Sequence, residues 1–285
     1  MSPPAWIDTH CHLDAAEFAA DRAAVYQRAC EAGMVGCLVP SVSMRHVQDV
    51  ENCCRDFPAC VPAYGIHPLY TPQATLEDLE QLDAWLTVHP AVAVGEIGLD
   101  GFVPSLDWQR QMDFFMAQLS LARKHDLPVI LHLRRAVEAV IQALKRIPVR
   151  GGVAHAFNGS TQQAQQLIDM GFCLGFGGAM TFTGSSRIRR LATDLPLSAM
   201  VLETDAPDIS PAWLYTTDPV TGKNQPGRNE PGELPAIAQV MADLRQMPVA
   251  DLLDLTRRNA LGVFPAWEKF VGGSNLAPEI RSPGR

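Results

Sequence analysis

Eight apolar, strand-like segments recur along the chain, and this rhythm restricts the fold more than any other feature of the sequence. The segments cover 6–14, 36–42, 60–68, 92–100, 128–134, 151–159, 172–178 and 199–207. Their apolar positions are dense rather than alternating, as in strands covered on both faces. Helical stretches at 17–33, 75–89, 107–126 and 160–171 lie between them, and 232–247 and 248–264 follow the last. Thr75 with Asp78 three residues on resembles a capping box, and Gly33 and Gly171 stand where helices should stop. Successive segments are about 28 residues apart, the length of one βα unit. Eight such units predict an α/β protein, a single-domain TIM (β/α)8 barrel. The barrel should occupy residues 1–265, with 266–285 a loosely ordered tail. A doubly wound sheet is the alternative, but no G-x-G-x-x-G follows the first segment. The stretch 208–231, rich in Pro, Gly, Asn and Thr, reads as a long irregular connection.

Composition limits the partners. The net charge is −8, from 23 Lys and Arg against 31 Asp and Glu, with no basic block. Proteins that coat duplex nucleic acid through many phosphates are usually basic, so action on DNA has to work through a local site. No apolar run approaches the ~20 residues of a membrane span, and nothing signals an obligate protein partner. The cysteine count is seven, without a C-x-x-C pair, and MSPPAWID carries no leader pattern. These read as reduced thiols of a cytoplasmic protein. Cys11, between two histidines, reads as a small buried apolar residue.

The polar residues inside the apolar segments carry the chemistry. IDTHCHLD places Asp8, His10 and His12 on alternate positions, hence on one face if the strand continues through them. His67, His132 and His155 also fall towards the C-terminal ends of their segments, as do Glu96 in GEIGLD and Glu203 and Asp205 in LETDAP. In a barrel those ends share the face that carries active sites. A strand histidine is ordinarily a hydrogen-bonded core residue. A set drawn onto one rim from six strands is better explained by cations, because unpaired buried imidazoles and carboxylates cost several kcal/mol each. Imidazole and carboxylate without thiolate suit Zn²⁺ or Mn²⁺, with Mg²⁺ where oxygen dominates. His10, His12, His132, His155, Glu96 and Asp205 exceed one tetrahedral shell, so two divalent ions are expected, with Glu96 as the central bridge. Two ions polarise an ester-like oxygen from both sides and acidify water, which predicts a hydrolase of ester bonds. His46, His89 and His125 read as surface or helix-end residues.

DTHCHLD, GIHP, GEIGLD, RQ…FF…Q…LA…LPVILHLR, HAFNG, LGFGG, ETDAP and RNEP occur in an order that resembles the TatD-family metal-dependent hydrolases of the amidohydrolase superfamily. The resemblance runs from residue 7 to about 264. It implies a distorted TIM barrel, a two-metal centre and, in several members, deoxyribonuclease activity. Carried onto this sequence, it gives His10, His12 and Asp205 to the first ion, Glu96 as bridge, and His132 and His155 to the second. Asp205 becomes the base that holds and deprotonates the attacking water. His67 and Glu203 become substrate-side or supporting residues, and Asp8 a carboxylate behind the histidines that fixes their tautomer. Two departures stand out: Gly101 precedes Phe102 after GEIGLD, and residues 208–227 are inserted between ETDAP and RNEP.

The expected substrate is DNA or a small phosphodiester. Arg134, two residues after His132, is a candidate to grip a phosphate, with Lys223 and Arg228 as further candidates. Arg187, Arg189 and Arg190 read as an exposed helix face, and Trp213 and Tyr215 as residues that either stack on a base or pack the loop. The alternative is an amidohydrolase acting on a small cyclic amide, lactone or aminoacyl ester. A binding protein that merely kept the barrel would not need the full ligand set.

Overall fold

The computed structural model describes residues 3–219 and 221–270. Eight parallel strands follow one another around a ring in chain order: β1 (Trp6–Asp8), β2 (Met34–Pro40), β3 (Cys60–Tyr64), β4 (Ala93–Asp100), β5 (Val129–Arg134), β6 (Gly152–Ala154), β7 (Phe172–Phe176) and β8 (Met200–Leu202). This is a single-domain TIM barrel. A doubly wound sheet would reverse its strand order at a switch point, and none occurs. Among the described residues β8 and β1 share no ladder. Instead the N and Oγ1 of Thr9 both donate to Leu202 O, at 3.1 and 3.0 Å, and Asp205 N donates to His10 O at 2.8 Å.

Nine helices surround the ring among the described residues: α1 (Arg22–Glu31), α2 (Val47–Asp56), α3 (Leu76–Val88), α4 (Trp108–Lys124), α5 (Val137–Arg146), α6 (Thr161–Asp169), α7 (Ser186–Asp194), α8 (Leu234–Arg245) and α9 (Val249–Val263). The sequence alone does not mark α2 and α5, each of ten residues, and touches α7 only through the helix face expected of Arg187, Arg189 and Arg190. Thr75 and Asp78 do form a capping box at α3, and Ser160 with Gln163 forms another at α6. The 208–231 segment is not wholly irregular. It contains a small exposed antiparallel hairpin, β9 (Tyr215–Thr217) with β10 (Asn224–Pro226).

The lumen of the barrel is dry. Each strand sends an apolar side chain inward, from Ile7, Leu38, Val61, Ala93, Ile130, Val153, Cys173 and Val201, and Phe264 and Trp267 plug the lower end. Full burial of a large apolar side chain contributes ~1.5–3 kcal/mol, so this layer fixes the ring from inside. Trp267, within the stretch expected to be loosely ordered from 266, is fully buried in this plug. Residues 271–285, also assigned to the tail, lie outside the described residues.

Above the apolar layer the strands stop sooner than their apolar segments suggest. β1 ends at Asp8, β3 at Tyr64, β6 at Ala154 and β8 at Leu202. Glu96 and His132 sit within strands, and Asp8 and Arg134 at strand ends, while His10, His12, His67, His155, Glu203 and Asp205 stand on loops just beyond. Ala156 and Asp205 take left-handed backbone, with φ of 45° and 59°. Such turns are uncommon away from glycine, and here they bend the chain inward so that side chains from separate strands converge on the axis.

Candidate metal centre

The innermost donors form a cage. His10 Nε2 lies 3.2 Å from His12 Nε2, 3.2 Å from Glu96 Oε2 and 3.4 Å from Asp205 Oδ1. His12 Nε2 lies 3.7 Å from Glu96 Oε2 and 3.8 Å from Asp205 Oδ1. Four donors bound to one ion at ~2.0–2.2 Å in a tetrahedron stand about 3.3–3.6 Å apart. His10 Nε2, His12 Nε2 and Glu96 Oε2 are thus spaced as three such donors, and Asp205 Oδ1 approaches them from the side of His10 and His12.

A second group shares the other oxygen of Glu96. His132 Nδ1 is 3.0 Å and His67 Nε2 3.4 Å from Glu96 Oε1. His67 is therefore not set apart from the centre. Its Nδ1 accepts from Leu69 N, which aims Nε2 at Glu96. His155 lies towards the first group: its ring stacks on that of His10 with centroids 3.8 Å apart, and its Nε2 is 3.7 Å from Asp205 Oδ1. His132 and His155, which the resemblance gives to one ion, fall in different three-residue groups: His10, His12 and Glu96; His10, His155 and Asp205; and His67, Glu96 and His132. The cause is Glu203, which sits 3.0 Å from His155 Nδ1 and turns the ring towards Asp205.

Charge at the centre is strained in opposite directions. Burial, reinforced by His10, pushes His12 down to about 3. Burial opposes protonation of His155 too, but Glu203 and Asp205 outweigh it and lift His155 to about 10. Burial raises the Glu96 carboxyl, yet His67 and His10 more than reverse this and hold it well below the usual range. Burial pushes Asp205 up to about 6 against the pull of His155 and His10. Positive charge fixed between the carboxylates would relieve the conflict, as the donor chemistry also requires.

The supporting contacts differ from expectation in one place and exceed it in another. Asp8 does not touch an imidazole. Its Oδ1 accepts from His10 N and Thr204 N, and its Oδ2 from Thr204 Oγ1 at 2.6 Å, so it joins the backbones after β1 and β8. Ile7 already points into the lumen, and the next residue has to face the other way. Asp100, which the sequence reading passed over, lies 2.9 Å from His132 Nε2. Its place in GEIGLD, at even spacing from Glu96, was the available signal. Gln111 of α4 donates to Asp100 O and accepts from Asp100 N, fixing the end of β4. Glu203 also accepts from Ala156 N, and buried Asn229 of RNEP donates to Thr204 O and Asp208 O. Glycine matters at two points. A Cβ on Gly98, where φ is 146°, would sit 1.9 Å from His132 O, and one on Gly175 would sit 2.2 Å from Glu203 Oε2.

The remaining candidates separate clearly. Arg134 stands at the mouth, its guanidinium 3.7 Å from the Phe102 ring centroid. Arg228 makes a two-pronged ion pair with Asp21, at 2.8 and 2.7 Å, and Lys223 lies exposed in the hairpin loop. Trp213 donates to Glu233, and Tyr215 packs edge-on against Phe182. His89 and His125 bond Glu51 and Asp83. His46 bonds Ser43 but also lines the cleft. Asp8, Cys11 and Cys37 also cluster within ligand distance, but the oxygens of Asp8 are taken and burial pushes the Cys11 thiol well up.

A barrel whose upper rim gathers imidazoles and carboxylates over an open cleft of about 2090 Å³ defines a metal-dependent hydrolase scaffold. The family model described as TatD related DNase matches residues 7–265, and the chain belongs to that family. It is 36% identical over 263 residues to the uncharacterized metal-dependent hydrolase YjjV of Escherichia coli K12, covering 91% of this chain and 97% of YjjV. It is 30% identical to the putative deoxyribonuclease tatdn3 of Danio rerio, covering 91% and 97% of the two chains. It is 32% identical to the 3'-5' ssDNA/RNA exonuclease TatD of Escherichia fergusonii, covering 90% and 98%. The crystal structure of YjjV superimposes with a TM-score of 0.83 at 35% identity, covering 91% of this chain and 98% of that one. The chain is accordingly a metal-dependent hydrolase of the TatD family. No helix among the described residues is long and apolar enough to cross a membrane.

Proposed function

We propose that this protein hydrolyses phosphodiester bonds of DNA or a small nucleic-acid fragment, using two divalent ions. The observation that carries the reading is the spacing of 3.2–3.7 Å among His10 Nε2, His12 Nε2 and Glu96 Oε2, with Asp205 Oδ1 3.4 Å from His10 Nε2 and a second set on Glu96 Oε1. His10, His12 and Asp205 would hold the first ion, Glu96 would bridge, and His132 would hold the second with His67 or His155 beside it. Zn²⁺, Mn²⁺ and Mg²⁺ all suit such donors. When bound, the ions polarise a phosphoryl oxygen and acidify water. Asp205 positions that water and accepts its proton at a carboxylate oxygen. Its elevated affinity for protons, about 6 before any ion binds, reflects its burial. Asp100 bonds the outer nitrogen of His132, and Glu203 lies 3.0 Å from that of His155; these carboxylates would keep the inner nitrogens turned to the centre. The names of the E. fergusonii and D. rerio relatives support a nucleic-acid substrate. Seven free cysteines fit a reducing compartment, the cytoplasm.

The test is an activity screen of the metal-loaded protein on phosphodiester, carboxylic ester and amide substrates, with metal content measured in parallel and Asp205→Asn as control. Cleavage confined to phosphodiesters is the expected result. Turnover of lactones, cyclic amides or aminoacyl esters alone would transfer the protein to the amidohydrolase reading.

A further inference from the structure

The mouth of the cleft is divided by charge, and the division follows the order of the strands. The loops after β5 and the helix after β7 present Arg134, Arg135, Arg187 and Arg190 to it. Among the described residues none of these arginines has a carboxylate within ion-pair distance, whereas Arg28, Arg150 and Arg228 are each paired. The loops and helices after β8, β1 and β2 present Asp208, Asp14, Glu17 and Asp49, and none of these is in an ion pair. In a ring of eight strands β1 stands opposite β5. All four arginines that line the cleft therefore stand on one side, with Glu138 of α5 the acid among them, and Asp208, Asp14, Glu17 and Asp49 stand on the opposite side of the metal centre.

Aromatic surface accompanies the arginine side. Phe102 and Trp108, after β4, line the same cleft and remain 42% and 41% exposed. The guanidinium carbons of Arg134 and Arg135 lie 3.7 and 4.7 Å from the Phe102 ring centroid. Cations combined with an exposed aromatic ring are the elements from which single-strand tracks are built: arginine neutralises phosphate and the ring offers a stacking face.

We propose that a single strand of nucleic acid lies over the β5–β7 side of the mouth, with its phosphates next to the scissile one on Arg134, Arg135, Arg187 and Arg190 and an adjoining base against Phe102. The opposite side turns the polyanion away. The strand therefore extends from the metal centre in one direction across the mouth. This rests on the phosphodiester reading above and adds to it which residues, none of them a metal-ligand candidate, select for a polymeric over a minimal substrate. It also reconciles the acidic chain, at −8, with a nucleic-acid substrate, because the positive charge is gathered where the strand would lie.

The test compares R187A/R190A with the parent on a short single-stranded DNA oligonucleotide and on bis(p-nitrophenyl) phosphate, a diester too small to reach α7. R187K/R190K and R146A, whose arginine lies exposed at the far end of α5, accompany it. The ratio of the oligonucleotide KM to the small-diester KM should rise about tenfold in R187A/R190A. The salt slope of oligonucleotide binding should fall by ~1.4, two charges at ~0.7 each. The lysine pair should restore both and R146A should move neither. An unchanged ratio and slope in a folded R187A/R190A would overturn the track. If the loaded protein cleaves neither diester, the phosphodiester reading fails on its own. Oligonucleotide binding by fluorescence anisotropy then still decides the track: loss of salt-dependent affinity in R187A/R190A supports it, and parental affinity overturns it.

Discussion

Asp100 Oδ2 lies 2.9 Å from His132 Nε2, on the far side of the imidazole from Glu96. The contact would hold the proton of His132 on Nε2 when an ion takes Nδ1, as ligand histidines generally require. Asp100→Asn should weaken divalent-metal affinity ~10–100-fold while the circular dichroism stays that of the parent. Competition against a chromophoric chelator measures it, and parental affinity would remove Asp100 from the centre.

Asp205 combines two duties at one carboxylate, donor and proton acceptor. Asp205→Asn should reduce kcat by at least ~10²–10⁴-fold, the range of a lost general base, with its thermal unfolding still cooperative. Near-parental turnover would show that another group takes the proton.

Gly175 gives Glu203 the room it needs beneath His155. In Gly175→Ala the added methyl would stand 2.2 Å from Glu203 Oε2, so Glu203 has to leave His155. The cost should be ~1–3 kcal/mol in stability from overpacking, together with a loss of turnover that Gly175→Ser also shows. Denaturant unfolding and steady-state kinetics on the same samples check both parts.

Thr204 satisfies Asp8 at 2.6 Å in a fully buried position. Thr204→Val keeps the shape but leaves Asp8 Oδ2 without its donor. Unfolding should become easier by ~1–3 kcal/mol, read as a lower denaturant midpoint at an unchanged slope. No shift in midpoint would mean that water takes the place of the hydroxyl.

Asp14 has a buried Oδ1 without a hydrogen-bond partner, and burial raises its carboxyl from 3.8 to about 7. A folded-state value above the unfolded one makes this group's contribution to stability full below about pH 4 and lost as pH rises through about 7. Asp14→Asn cannot ionise, so in chelator-treated protein its Tm relative to the parent should improve between about pH 4.5 and about pH 8. Calorimetry at both values decides it, and a constant difference would show that Asp14 titrates normally.

Much of this was legible in the chain. The eight segments mark the strands because parallel strands covered on both faces need dense apolar runs, and His10, His12, Glu96, His132, His155 and Asp205 stood out as polar residues inside them. What could not be read was where each run stops being a strand. That point set Asp8 away from the histidines and gave His155 to Glu203. Contacts between distant segments were equally hidden. The pairing of Gly98 with His132, which brings Asp100 alongside, is a matter of register between β4 and β5. Arg228 looked available for phosphate until its partner Asp21, some two hundred residues away, was seen.

Where the ring closes, between the first strand and the last, hydrogen bonds from Thr9 N and Oγ1 to Leu202 O, from Asp205 N to His10 O and from His12 N to Ala206 O stand in for a ladder, and His10 and Asp205 lie on either side of that joint. An ion gripping both would rivet the weakest join of the cylinder. Loading with metal should then slow amide exchange at Thr9 and Asp205 far more than at the strands opposite, so that occupancy of the centre and integrity of the scaffold are read from the same two amides.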